Sequence, residues 1–181
     1  MTLTGMRGNP DDTAAEDRFR AVFAHLGAIT AYARRRGSSD ADAIAAETMT
    51  IAWRRLTVVP RDDPLPWLYA TARNLLLAEA RQGVRRNDSV PLEQAAPTLE
   101  LAELDPHLEQ ALRALRPTDR EALLLVAWED LTPSQAARAL GIRPTAFRVR
   151  LLRARRRLCR ALDASDVGGR HTSIHTDLEA T

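Results

Sequence analysis

Lysine is missing from this chain of 181 residues. All 26 basic residues are arginine and stand against 24 acids, so the formal net charge is only +2. The chain as a whole is therefore not a polycation, and its basic character is local, as befits a patch with a purpose. Cysteine is nearly absent. The single Cys159 excludes an internal disulfide and a cysteine metal cluster; lying among arginines late in a helical pattern, it reads as a small semi-buried filler rather than a reactive thiol. Aromatic residues make up 4%, so any core is aliphatic. No apolar run is long enough to span a bilayer, and the polar start of the chain does not read as a signal peptide, so a cytoplasmic location without membrane insertion is expected. There is no phosphate-cradling glycine loop, no nucleophile–base pair and no metal-ligand cluster. Hence the expectation is no enzyme, no catalytic residue, no metal and no cofactor.

What is present is helical periodicity, and 45% apolar residues to support it. The most informative stretch runs from Leu131 to Leu158, LTPSQAARALGIRPTAFRVRLLRARRRL. Thr132 can cap a helix, with Pro133 at its first position and Gln135 reaching back. Ala136, Ala137 and Leu140 form a short apolar stripe. Gly141 accepts the left-handed conformation that ends a helix. Ile142 plugs the turn and Pro144 starts a second helix, whose Phe147, Leu151, Ala154, Leu158 and Leu162 recur at steps of three and four. This is a helix-turn-helix, and its second helix is a candidate reader of a DNA major groove. Arg143 to Arg160 hold eight arginines and no acid, a density that calls for an anion opposite. A plain helical hairpin with a solvated basic face is the competing reading.

Taken in order, residues 1–16 are polar and read as a disordered arm. A helix is expected from Asp17, with a stripe of Phe19, Val22, Phe23, Leu26, Ile29, Tyr32 and Ala33, closing at Arg34, Arg35, Arg36 and Gly37. Ser39 is the expected cap of the next helix, which ends at Trp53, Arg54 and Arg55. A proline-rich loop, Thr57 to Pro66, leads to a third helix from about Trp67 to Arg86. Its aromatics and arginines suit single-stranded nucleic acid, although Trp67 and Tyr69 also fit a core. Residues 87–104 read as a flexible linker. A second domain, 105–162, opens with Asp105 capping a helix at Pro106. Thr118 to Glu121 reads as a capping box for another helix. Residues 163–181 read as a flexible tail, in which His171 and His175 lack the support a metal site needs. The expected fold is all-α: two small helical domains, 17–86 and 105–162, the second carrying the helix-turn-helix.

Two separated segments resemble one family. AYARRR, DADAIAAETMTIAWRRL and PWLYATARNLLL are similar to region two of the extracytoplasmic-function sigma factors of the sigma-70 family. LRALRPTDREALLLVAWEDLTPSQAARALGI and the RARRRL ending are similar to region four. Met49 stands where phenylalanine is usual, Ala43 and Ala46 where acidic or polar residues are, and Arg143 where a capping serine is.

The resemblance implies a promoter-specificity subunit that joins core RNA polymerase through the beta prime clamp helices and the beta flap. Region four would bind the minus-thirty-five element as duplex, and region two would hold the melted strand of the minus-ten element. By position, Thr145, Arg148 and Val149 would lie near bases, and Arg143, Arg150 and Arg153 on phosphates, which fix register without reading sequence. Leu152 would meet a thymine methyl or the flap. Trp67, Arg73, Asn74, Arg81 and Arg85 would serve the melted strand, and Asp42, Glu47, Trp53 and Arg54 the polymerase clamp. An anti-sigma protein is a further partner the family allows. A self-contained helix-turn-helix regulator that binds duplex without polymerase stays open as the alternative, as does a module that binds nucleic acid without sequence preference.

Overall fold

A computed structural model describes residues 10–86 and 105–176, with side chains described over 13–82 and 105–164. Eight helices follow one another: α1 (Pro10–Phe23), α2 (Leu26–Arg35), α3 (Ala41–Arg54), α4 (Leu65–Arg86), α5 (Pro106–Arg113), α6 (Pro117–Ala127), α7 (Pro133–Ala139) and α8 (Pro144–Thr176). Among the described residues every regular element is a helix, so the chain is all-α as its periodicity implies. It divides between Glu100 and Leu101 into two compact units. The linker expected over 87–104 lies outside the described residues.

The first unit is α1 to α4. Ile29, Tyr32 and Ala33 of α2, Ala45, Met49 and Ala52 of α3, and Leu68, Tyr69, Ala72 and Leu76 of α4 make its core, with Val22 and Val59 at the side. The fully covered alanines let helix axes approach closely, and burial of each large apolar side chain contributes about 1.5–3 kcal/mol. The Tyr32 and Tyr69 rings meet at 5.0 Å. Arg36 stands at the C-terminal end of α2, where a cation is expected. It is buried, with its guanidinium 4.1 Å above the centre of the Tyr32 ring, where the ring's negative face attracts it.

Three local expectations need correction here. The single helix expected from Asp17 to Arg36 is two helices. The Ala24 N–H still reaches the Arg20 carbonyl at 3.1 Å, but the His25 N–H turns back to Val22, also at 3.1 Å. That tighter turn breaks the ladder just before Gly27, a weak helix former. Helix α1 also begins at Pro10, so residues 10–16 of the expected arm are helical. Finally, Asp40 and not Ser39 caps α3, its carboxylate accepting the Ala43 N–H at 2.8 Å. Ser39 instead donates its N–H and hydroxyl to Glu79 Oε1 at 3.1 and 2.6 Å, while Ser38 donates to Glu79 Oε2 at 2.9 Å. The turn after Gly37, which has the expected positive φ of 65°, is thus tied to α4.

The second unit is α5 to α8. Asp105 caps α5 by accepting the His107 and Leu108 N–H groups at 2.8 and 3.3 Å, as its Asp-Pro sequence implies. The capping box expected at Thr118 to Glu121 does not form. Helix α6 starts at Pro117, Arg116 caps it without a side-chain bond, and Asp119 turns inward to pair with Arg157 of α8. Ala122 to Leu125 are buried, so the apolar side of α6 faces the core. Burial lowers the Arg120 guanidinium from the usual arginine value; Arg113 adds to the effect and Glu121 opposes it. The tail expected from residue 163 is helical to Thr176. No proline follows Pro144, and a nucleated helix gains one bond per added residue. His171 and His175 lie in that extension, beyond the described side chains.

Candidate nucleic-acid interface

The helix-turn-helix is built by neighbours in sequence. Gln135 donates its backbone N–H to Thr132 Oγ1 at 3.3 Å, and its side-chain oxygen accepts the Thr132 N–H at 2.9 Å. This reciprocal cap starts α7. Ala136, Ala137 and Ala139 are buried. Gly141, at φ 64°, ends the helix; its N–H reaches the Arg138 carbonyl at 3.1 Å and the Ile142 N–H reaches Ala137 at 3.0 Å. A side chain at Gly141 would meet no atom within 4 Å, so the demand for glycine is one of backbone conformation alone. Pro144 opens α8. Phe147, Leu151 and Ala154 then face the core, Phe147 with no exposed area.

The face of α8 turned away from that core carries the residues expected to meet duplex. Arg143, Thr145, Arg148, Leu152 and Arg153 are exposed, as is Val149; Arg150 is half-buried at the flank. Val149 and Leu152 are 48% and 51% exposed although apolar, and three residues apart they share a face with Arg148 and Arg153 beside them. Such a surface offers guanidinium forks for guanine edges and phosphates, and methyl groups for thymine.

In the first unit, α3 and α4 enclose a groove of about 560 Å³. It gathers Trp67 and Asn74 with Arg54 and Arg55: a ring face, an amide with two donors and one acceptor, and two cations. A single-stranded base and its phosphates need those groups. Trp67 is half-buried and Asn74 exposed. Arg73, adjacent to Asn74, is half-buried and does not line the groove. Arg81 is exposed two helical turns beyond Asn74 and so on the same face. Arg85 belongs to α4, but its side chain is outside those described. Sequence reasoning missed Arg55 and Thr71 in this groove; Thr71, between Trp67 and Asn74 at steps of four and three, could have been found from helical register.

The four residues expected at the polymerase divide between two sides of α3. Asp42 and Glu47 are exposed. Trp53, 48% exposed, stacks edge-on against Phe19 at 5.0 Å and lines an apolar groove of about 800 Å³ with Phe23, Leu26 and Met49. Arg54 lines the Asn74 groove instead, because consecutive helical residues point about 100° apart. Phe23, placed in the core by the sequence, is 47% exposed; the break between α1 and α2 frees it. Among the described residues no cluster of metal-binding side chains occurs, and no helix is long and apolar enough to cross a membrane.

The family model for sigma-70 region 4 matches residues 107–158, inside the second unit. No curated protein matches significantly. Among solved structures, the chain is similar to the sigma factor RpoE crystallised with the anti-sigma factor NepR from Bartonella quintana. Identity is 26%, the match covers 82% of this chain and 98% of that one, and the TM-score is 0.62. It is also similar to CnrH in complex with the cytosolic domain of CnrY, at 25% identity over 84% of this chain and 94% of that one, with a TM-score of 0.56.

Proposed function

Because this chain belongs to the sigma-70 family, in its extracytoplasmic-function group, we propose that it joins core RNA polymerase and directs it to promoters with distinct upstream and downstream elements. The second unit binds the minus-thirty-five element as duplex through α8, with Thr145, Arg148 and Val149 at bases and Arg143, Arg150 and Arg153 at phosphates. The first unit holds the peeled strand of the minus-ten element in the groove of Trp67 and Asn74, with Arg73, Arg81 and Arg85 along its path. Asp42, Glu47 and Trp53 face the polymerase clamp. Arg54, which shares the groove with Asn74, is reassigned from the clamp to the strand.

One observation carries the reading: a duplex-sized basic helix and a base-sized groove occur in two separate units of one chain. A self-contained regulator needs the first and has no use for the second. Promoter opening then draws on binding energy, by capturing bases as they leave the stack, and the chain needs no catalytic group. The occurrence of the similar RpoE with an anti-sigma factor supports an anti-sigma partner for this chain too.

Transcription in vitro with core polymerase on a genomic library, followed by mapping of start sites, tests the proposal. Shared elements upstream of the starts are expected. Tight, specific duplex binding by the isolated chain, with no transcription in the presence of core enzyme, would establish the regulator reading in its place.

A further inference from the structure

The groove between α3 and α4 has a loop at one end, residues 55–64, and that loop is held from outside by α1. The Arg18 side chain donates from Nη2 to the Val59 carbonyl at 2.6 Å, across 41 residues of sequence. Val59 is 2% exposed, whereas its neighbour Val58 is 65% exposed. Both are fastened to one atom: the Val58 and Val59 N–H groups point to the Arg55 carbonyl at 2.8 and 3.3 Å. Arg55 is itself a groove residue. The backbone therefore runs from the groove wall through one tight turn to the Arg18 anchor. Beyond the anchor, Pro60, Pro64 and Pro66 fix φ at three points on the way to Trp67, the opposite wall. Val59 is thus tied to Arg55 on one wall by hydrogen bonds and to Trp67 on the other through a proline-stiffened segment, so its position bears on both. The bond that prevents the shift has a charged donor and is among the stronger kinds.

We propose that Arg18 is a positioning residue for the groove. By holding the Val59 carbonyl it sets the height of the loop and the separation of Arg55 from Trp67, and through them the choice of base admitted. Arg18 touches no nucleic acid. Its contribution is to the shape of a site made by other residues, and it comes from a helix that belongs to neither wall. The inference rests on the groove being the site of the melted strand.

The test uses the full chain with core polymerase on a promoter library randomised at the downstream element, scoring open-complex formation for each base. Wild type is compared with Arg18→Ala and Arg18→Lys. For Arg18→Ala, the discrimination between favoured and disfavoured downstream bases is expected to fall by roughly tenfold, the scale of losing one hydrogen bond from a charged donor. Upstream preference and affinity for core enzyme stay at the wild-type level. Arg18→Lys restores a charged donor and recovers part of the discrimination. If Arg18→Ala does not fold, Arg18→Gln, which keeps a neutral donor, is read in the same way. Wild-type discrimination in the alanine variant, or an equal loss on every sequence that tracks a lower thermal midpoint, overturns the proposal. Failure of the wild-type chain to open any promoter overturns the groove reading itself, and Arg18's role with it.

Discussion

Arg157, in the middle of α8, is paired with Asp119, 38 residues earlier in the first turn of α6. The two ends of the pair differ. The Asp119 side chain is 9% exposed and that of Arg157 is 42% exposed. The pair joins the arginine-rich helix to the core of its unit and neutralises one charge of eight.

That asymmetry fixes the order of two variants. Arg157→Ala leaves a carboxylate buried without its partner, whereas Asp119→Ala leaves a guanidinium that can turn to water. The arginine substitution is therefore expected to cost more, about 2–4 kcal/mol against about 1–2. Urea unfolding of the two variants checks this; equal losses would mean that Asp119 finds water once Arg157 is gone.

Asp130 has a φ of 51° in the turn between α6 and α7, alone among the described non-glycine residues in that region. Aspartate tolerates the left-handed conformation better than most residues but still at a cost. Glycine relieves the cost and loses part of the gain to its more flexible unfolded state. Asp130→Gly is expected to raise stability by up to about 1 kcal/mol, visible as a higher thermal midpoint with DNA recognition unchanged.

Arg148 lies exposed on α8 in the centre of the face assigned to duplex. Arg148→Ala is expected to relax the preference at one or two upstream base pairs, by about 1–3 kcal/mol of discrimination. Transcription from a promoter library randomised upstream measures it. Equal weakening on all sequences would move Arg148 to the phosphates.

Asn74 lines the groove with Trp67 and, being exposed, carries no part of the core. Asn74→Ala should leave stability within about 0.5 kcal/mol of wild type and assembly with core enzyme intact, while slowing promoter opening. Pull-down with core enzyme and strand-opening kinetics separate the two effects; opening at the wild-type rate would take Asn74 off the strand's path.

The features legible from sequence share a short range. The Thr132–Gln135 cap, the left-handed Gly141, the start at Pro144 and the spacing of Phe147, Leu151 and Ala154 each depend on residues within about four positions. Steric limits on the backbone and the 3.6-residue period settle such features before any tertiary contact exists. The misreadings have the opposite character. Ser39 stands where a cap is expected, and Thr118 to Glu121 match a capping box, but Glu79, 40 residues on, claims Ser39, and Asp119 inside the box pairs with Arg157, 38 residues on. Arg36 resembled its neighbours Arg34 and Arg35 until the Tyr32 ring was packed beneath it.

Sequence alone thus determined the helical class, the turn that aims α8, and which of its faces is left to solvent, since a helix carries its own periodic record of inside and outside. Tertiary structure decided that Arg54 joins Trp67 and Asn74 in one groove, that Phe23 stays at the surface, and that Arg18 reaches the loop beyond α3. Those outcomes depend on the distance between helices, and a linear pattern holds no information on distance until the chain has closed on itself.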